Sequence, residues 1–283
     1  MKRTRSIRGR VRFLWAVLKK FDSDHGFFLS AGITFNLIIC LIPLSLLLLA
    51  LVGTYLYSAK EVLNHIRHYL EGVAPALDPK IMKNLLGIIQ SRKIAGILGI
   101  IGLLWTSTWI FSSLRTAFNI IFQVKKGRGV FHGKAIDLLM IALAGISHLV
   151  SMGLTSLMSY AQRYRIQAPL DLGPIVGVFL KYLLPFLFTF WMFFLIYKII
   201  PNRKIRFKTA FQTALFTSFF WEVAKQLFGW YVFNIGKFSM IYGSLSALIV
   251  FFFWVYYSSV IVLLGAEAVY LLEEKVGFKQ KAE

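Results

Sequence analysis

The chain has 283 residues, of which 58% are hydrophobic and only 16% are charged, against about a quarter charged in an ordinary soluble domain. This composition predicts a polytopic membrane protein and excludes an ordinary soluble domain. The net charge of +20 would suggest nucleic-acid binding in a soluble protein, but in a membrane protein it first indicates which loops face the cytoplasm. The single cysteine, Cys40, excludes an intrachain disulfide and a cysteine-based metal finger or redox site.

Residues 1–24 predict a basic amphipathic helix at the membrane surface. Val11, Leu14, Trp15 and Leu18 recur at helical spacing, while basic residues occupy the rest of the helical wheel. The apolar run is too short for a signal peptide, so we expect the segment to stay on the mature protein. Two roles are open: a topology anchor attracted to anionic lipid at ~1 kcal/mol per basic residue, or a regulatory surface that binds lipid headgroups.

Residues 25–272 predict an all-α bundle of six transmembrane helices. The clearest signal is a run of 29 residues, from Phe238 to Ala266, without Lys, Arg, Asp, Glu or His. At ~1.5 Å per helical residue this run is longer than the ~30 Å hydrocarbon core. A cytoplasmic tail, residues 273–283, follows the last span. The predicted spans cover residues 27–59, 94–122, 135–160, 173–200, 209–233 and 238–272.

Prolines and glycines mark special positions within the predicted spans. Pro43 and Pro185 each lack a backbone donor, and we expect them to kink the first and fourth spans. The carbonyl that such a kink frees can line a transport site, or it can bond to a neighbouring helix. Gly96, Gly99 and Gly102 recur at one-turn spacing in the second span and predict close packing against another helix.

The loops indicate the orientation of the bundle. In residues 60–93 the apolar residues follow helical spacing on each side of two prolines, which predicts two short amphipathic helices in the first external loop. Lys and Arg total 20 in the N-terminal segment, residues 123–134, residues 198–208 and the tail, against nine in the loops on the other side. This excess predicts that both termini are cytoplasmic.

Charged residues within the predicted spans need partners or water, because each costs ~2.5–3.5 kcal/mol at the bilayer centre. Arg115 and Glu267 fall near the cytoplasmic ends of their spans, so we expect them to pair as a structural or gating latch. Lys181, Glu222 and Lys225 fall at a similar depth further out and predict a polar, anion-accepting cavity. Alternatively, Lys181 snorkels to the surface and Glu222 pairs with Lys225 at i, i+3 spacing.

Three parts of the chain carry a resemblance to a known family. They are SAGITFNLIICLIPLSLLL, LLWTSTWIFSSLRTAFNIIF, and the C-terminal set IYKIIPNRKIRFKTA, WEVAKQLFGWYV and IYGSLSALIVFFFWVYYSSVIVLLGAE. Together these stretches resemble the YihY/BrkB family of bacterial inner-membrane proteins. Where many members have a serine shortly before the first-span proline, this chain has Cys40. The resemblance covers nearly the whole chain and implies a six-span protein of the bacterial inner (plasma) membrane, for which transport or export and a tRNA-processing ribonuclease activity have both been suggested.

Three functional classes follow from these features. A metal-dependent ribonuclease needs clustered His and Asp ligands, but the five histidines do not cluster in sequence, and His65 and His68 fall in the predicted external loop. No nucleotide loop or nucleophile motif is present, so we expect no enzyme activity, cofactor, metal or nucleic-acid partner. The favoured hypothesis is a transporter or exporter of an anionic amphiphile or envelope precursor, with membrane lipids as partners. The alternative is a structural or scaffold protein.

Overall fold

A computed structural model of the chain describes residues 2–56, 91–124, 129–163, 183–234 and 246–282, and all regular structure in these ranges is helical. This confirms the predicted all-α class. Apolar segments become helices in a membrane because a helix satisfies its backbone N–H and C=O groups internally. In chain order the helices are α1 (Lys2–Ser23), α2 (Gly26–Leu56), α3 (Arg92–Ile121), α4 (Val130–Arg163), α5 (Leu184–Ile199), α6 (Phe207–Asn234) and α7 (Ser246–Ala282).

Four of the described helices contain segments long and apolar enough to cross a membrane. These segments are Gly26–Leu51 in α2, Arg92–Ile121 in α3, Phe131–Val150 in α4 and Leu248–Glu274 in α7. α5 is apolar but has only 16 described residues, and α6 carries several charged residues along its length. The described residues therefore support four spans, while the fourth and fifth predicted spans correspond in part to α5 and α6.

Large apolar side chains face outward along the spanning segments. Phe35, Ile94, Leu149 and Phe253, for example, are all exposed. A soluble protein rarely exposes large contiguous apolar surfaces, because contact with water is unfavourable. In a bilayer the same surface contacts hydrocarbon, so this distribution of side chains agrees with the hydropathy of the helices.

The most completely buried side chains gather at one end of the bundle. Phe118 and Ile121 of α3, Tyr197 of α5 and Val269 of α7 are all fully buried. Phe118 stacks on Tyr197 with ring centroids 6.2 Å apart, and Phe21 of α1 joins the same core. The C-terminal ends of α1, α3, α5 and α7 therefore meet at this end of the molecule.

The glycines of α3 allow it to pack closely against α2, which confirms the predicted role of these residues. A Cβ atom on Gly99 would lie 2.9 Å from the backbone nitrogen of Leu47, and one on Gly102 would lie 2.9 Å from Cβ of Pro43. α2 continues through Pro43 without interruption. The kink predicted at Pro43 stays a prediction.

Several other expectations concern segment ends. The external loop with its two predicted amphipathic helices lies outside the described residues, because residues 57–90 are not described. Pro185 lies in the first turn of α5 as described, and the kink predicted there stays a prediction. The predicted tail continues α7 as a helix up to Ala282.

Candidate functional site

A buried charge cluster joins α1 to α7 at the end of the bundle where the helix ends meet; we call it the Lys20 cluster. Nζ of Lys20 lies 2.8 Å from Oε2 of Glu267. The same ammonium donates to the carboxylate of Asp24 and, at 3.0 Å, to the backbone carbonyl of Ile121 at the end of α3. It also lies 4.2 Å from the centroid of the Tyr270 ring. One lysine thus connects three helices.

Glu267 is the most unusual member of the Lys20 cluster. Its side chain is 0% exposed, and neither carboxylate oxygen receives an aligned hydrogen bond from the described residues, although Oε2 is in ion-pair contact with Lys20. Burying a carboxylate without hydrogen bonds is costly. The ion pair to Lys20 is therefore the main compensation that the described residues offer to this charge.

A second buried cluster joins α3 to α4. Arg115 donates to the carboxylate of Asp137 and to the backbone carbonyl of Gly133, and a further N–H donates to Oγ of Ser112 at 3.2 Å. Asp137 is buried, and its second oxygen lies 3.9 Å from Nζ of Lys134. The guanidinium therefore anchors the start of α4 to α3.

The predicted pairing of Arg115 with Glu267 is wrong. Glu267 is fully buried and Arg115 is mostly buried, with 14% of its side chain exposed. Both lie near the same end of the bundle, as expected, but each has a different partner: Asp137 for Arg115 and Lys20 for Glu267. The reason is tertiary packing. α4 presents an acid beside Arg115, and α1 packs on α7 closely enough to place its last turn beside Glu267.

A third group of polar contacts holds the connection between α5 and α6. Nε of Arg206 lies 3.2 and 3.1 Å from the two carboxylate oxygens of Glu273, and the backbone N–H of Arg206 donates to the same carboxylate at 3.2 Å. Asn202 donates to Asn119 of α3 at 2.7 Å. This connection is thereby attached to both α3 and α7.

The residues of the predicted anion cavity are only partly described. Nζ of Lys225 lies 2.7 Å from Oε2 of Glu222, and Gln226 donates to the other carboxylate oxygen at 3.3 Å. The side chains of Glu222 and Lys225 are 32% and 40% exposed. The local i, i+3 pair offered as the alternative is therefore present. Lys181 lies outside the described residues, so its participation stays a prediction.

An apolar groove with a volume of about 530 Å³ lies between α1, α6 and α7. At 100° per residue, the groove-lining positions Phe220 and Ala224 of α6 lie on the face opposite Glu222 and Lys225. The groove and the predicted anion cavity are therefore different places. The groove is lined by Phe13, Leu14, Val17, Leu18, Phe216, Thr217, Phe220, Val223, Ala224, Leu227, Tyr257, Ile261, Leu264, Gly265 and Ala268.

A smaller and more polar depression, of about 380 Å³, lies between α2 and α3. Asn36 and Ser113 are hydrogen-bonded to one another in its wall, and Trp109 contributes an indole ring. These side chains satisfy each other and hold the two helices together, so the depression belongs to the α2–α3 contact.

In the described part of the chain, no group of three or more His, Cys, Asp or Glu residues is arranged to hold a metal ion. His65 and His68 lie outside the described residues. His148, in α4, is exposed and makes an edge contact with the ring of Phe188 at 6.0 Å between centroids. The described histidines therefore offer no ligand set for the ribonuclease hypothesis.

Sequence reasoning missed Lys20 and Asp137 as the partners of the two buried charges. For Lys20 a signal exists: Val17, Lys20, Phe21 and Asp24 follow i, i+3, i+4, i+7 spacing and share one helix face. Val17 and Phe21 are buried, so the lysine between them points into the bundle. For Asp137 the sequence shows only an acid near the start of the third predicted span, which does not identify a partner.

The comparisons with known proteins agree with this architecture. The family model described as "Virulence factor BrkB" matches residues 17–283. The chain belongs to the BrkB family. This confirms the resemblance inferred from the sequence stretches, and the match includes α2 to α7 as well as Lys20 and Glu267. The family description names no reaction or ligand.

Relatives of this BrkB family member are named only as membrane proteins. A UPF0761 membrane protein from Prosthecochloris aestuarii is 29% identical over 275 residues, which cover 95% of this chain and 62% of that protein. One from Haemophilus influenzae is 24% identical over 263 residues, covering 90% of this chain and 93% of the relative. One from Alkalilimnicola ehrlichii is 27% identical over 267 residues, which cover 92% of this chain and 58% of the relative. No solved structure matches the chain.

Proposed function

We propose that this BrkB family protein transports or exports an anionic amphiphile across the bacterial inner membrane, and that the groove between α1, α6 and α7 holds the hydrocarbon chain of that amphiphile. The observation that carries the proposal is the groove, whose volume of about 530 Å³ falls within the ~300–1,000 Å³ typical of ligand sites. Its walls are almost entirely apolar. A hydrocarbon chain is the ligand that matches such walls.

The length of the groove fits one chain of one leaflet. Its lining extends from Phe216 to Leu227 along α6 and from Tyr257 to Ala268 along α7. Each of these stretches corresponds to ~16 Å of helix at 1.5 Å per residue. Half of a ~30 Å hydrocarbon core has nearly the same thickness. A single acyl chain lying along α6 and α7 would therefore fill the groove.

Charge favours an anionic headgroup. Arg12 and Lys19 of α1 are exposed, next in sequence to groove residues Phe13 and Leu18. Basic residues beside a membrane attract anionic lipid by ~1 kcal/mol each. A second anion site around Lys181, Glu222 and Lys225 remains a separate part of the proposal, because Glu222 and Lys225 point away from the groove.

We also propose that α2 to α7 make six crossings with both termini in the cytoplasm. We call the end of the bundle where Phe118, Tyr197 and Val269 are buried the closed end. Its contacts support alternating helix directions, because the ends of α3, α5 and α7 meet the starts of α4 and α6 there. The basic excess of 20 over nine supports a cytoplasmic location for this end. Reporter fusions at each connection test the orientation, and an external reporter signal from either terminus would contradict it.

The groove is tested with a photoactivatable phosphatidylglycerol in phosphatidylcholine vesicles that contain the full-length protein. We expect labelling of peptides from α1, α6 and α7. Ala224→Leu, which fills the groove, should reduce this labelling about tenfold, since overpacking costs about 1–3 kcal/mol. Ala142→Leu is the matched control, because Ala142 is exposed on α4 and does not line the groove. Equal labelling of both variants would contradict the assignment of the groove as the lipid site.

Transport is tested in the same vesicles with fluorescent phosphatidylglycerol, whose outer-leaflet fraction is quenched by dithionite. The wild type should exchange the lipid between leaflets, and Ala224→Leu should slow this exchange while Ala142→Leu leaves it unchanged.

The buried clusters that join four helices favour a second candidate function, that of a structural protein. Binding of the probe without any exchange between leaflets would favour that alternative.

A further inference from the structure

We propose that Glu267 is a proton-binding site and that its protonation releases α1 from the groove. The inference rests on the proposed function, since the groove beneath α1 is the amphiphile site of that proposal. It adds a direction of control: protons that reach Glu267 loosen α1 from the groove.

The first step is that the Glu267 carboxylate needs a proton. It is 0% exposed, and the described residues supply no aligned hydrogen bond to either of its oxygens. Its partner Lys20 already donates to Asp24 and to the carbonyl of Ile121. The Lys20 cluster therefore contains two carboxylates against one ammonium. A proton on Glu267 would balance this charge and remove the buried anion.

The second step concerns what surrounds the carboxylate. α1 contributes Lys20, the turn after α1 contributes Asp24, α7 contributes Tyr270, and α3 contributes only a backbone carbonyl. From α5, the Tyr197 hydroxyl occupies the space beside Gly265, but it donates to the carbonyl of Val262 at 3.1 Å. Among the described residues, Lys20 is thus the group that forms an ion pair with the Glu267 carboxylate, and no other side chain donates to it.

The size and access of the site also favour a proton. A fully buried carboxylate offers no room for a lipid headgroup, whereas a proton needs none. Asp24 shares the ammonium of Lys20 with Glu267, and its side chain is 17% exposed. Asp24 therefore gives the cluster a contact with the aqueous phase through which a proton can enter.

The third step links the proton to the groove. Val17 lies one turn before Lys20, while Leu264 and Ala268 flank Glu267, and all three line the groove. The pair between Lys20 and Glu267 thus lies at the edge of the groove and holds the last turn of α1 against α7. When Glu267 is protonated, Lys20 loses its ionic partner on α7. With the pair formed, α1 forms one wall of the groove, as in the structure; protonation at low pH should free that wall to move away and widen the entrance.

The test measures α1 directly, in the full chain and without any amphiphile. Spin labels at Lys19→Cys of α1 and Thr116→Cys of α3, both exposed positions, are introduced with Cys40→Ala. In wild-type protein in phosphatidylcholine nanodiscs, the distance between the labels should shift to longer values as the pH falls from about 8 to about 5. In Glu267→Gln, whose amide resembles the protonated acid, the long distance should be present at every pH.

Glu274→Gln is the matched control. It makes the same chemical change at a partly exposed acid two turns further along α7 and should keep the wild-type pH response. Infrared difference spectroscopy gives an independent measurement that does not depend on movement. Acidification should produce a protonated-carboxyl band that persists in Glu274→Gln and disappears in Glu267→Gln.

Each result has a distinct meaning. An unchanged label distance between the two pH values in wild-type protein would overturn the coupling to α1. A carboxyl band that persists in Glu267→Gln would overturn the assignment of the proton site, and so would the absence of any such band in the wild type. If Glu267→Gln does not fold, the two wild-type measurements still decide. Because no lipid probe is used, failure here is distinguishable from failure of photolabelling, which concerns the proposed function.

Discussion

The charges at the closed end of the bundle and the pair on α6 differ in what they connect. At the closed end Lys20, Arg115 and Arg206 each bridge two or more segments of the chain. Glu222 and Lys225 belong to one turn of one helix, and their side chains remain partly exposed. Charges of the first kind decide which helices meet, whereas a pair of the second kind stabilises its own helix.

The difference in burial should appear in the energetics. A buried ion pair has lost its hydration, so removal of one partner leaves a charge that nothing compensates. An exposed i, i+3 pair keeps part of its hydration and contributes little beyond local attraction. Three experiments test this comparison, and their expected effects decrease from the buried pair to the local one.

The largest effect is expected for Asp137→Ala. It leaves the guanidinium of Arg115 buried without its carboxylate, so the free energy of unfolding in mixed micelles should fall by about 3–5 kcal/mol. Arg115→Met combined with Asp137→Leu removes both charges and should restore most of the lost stability. If the double variant is as unstable as Asp137→Ala, the loss of stability in Asp137→Ala does not come from an uncompensated charge on Arg115.

An intermediate effect is expected for Arg206→Lys. The lysine keeps the positive charge but loses the planar arrangement that brings Nε near both oxygens of Glu273. Because Arg206 is itself 40% exposed, we expect a loss of only about 1 kcal/mol in the same unfolding measurement. Arg203→Lys is the matched control, since Arg203 is exposed in the same connection. An equal loss in both variants would mean that the Glu273 contact contributes nothing specific.

The smallest effect is expected for the pair on α6. A double-mutant cycle with Glu222→Gln and Lys225→Met should give a coupling energy of about 0.3–0.5 kcal/mol, which decreases as salt is added. A coupling above about 2 kcal/mol would indicate that the pair is desolvated. Such a result would reverse the comparison and would make Glu222 and Lys225 part of a protected site.

Local features of this protein were predictable from the sequence because they depend on spacing along one helix. The glycines of α3 share a face, and a face made of glycine permits close approach whatever its partner is. Glu222 and Lys225 are one turn apart, so any helix brings them together. The basic amphipathic segment forms α1, whose Trp15 is 69% exposed, as a residue at the membrane surface should be.

The interhelical partners were not predictable from one sequence. Arg115 and Glu267 both lack local partners, and depth in the membrane suggested that they pair with each other. Depth, however, gives only the position of a side chain along the membrane normal. Its position within the membrane plane depends on which helices are neighbours. α4 provides Asp137 beside Arg115, while α1, which the sequence predicts only as a surface helix, packs against α7 and brings Lys20 to Glu267.

Hydrophobic composition and helical periodicity thus determine that this chain is an all-α membrane protein. Lipid offers no hydrogen-bond partners, and a long apolar segment that forms a helix pairs its backbone N–H and C=O groups internally. The pattern of residues on each helix also determines which faces accept close neighbours. Only the tertiary structure decides which buried charges meet and where helices separate to leave the groove beneath α1. Those features depend on contacts between residues far apart in sequence, such as Lys20 and Glu267, and no local pattern encodes them.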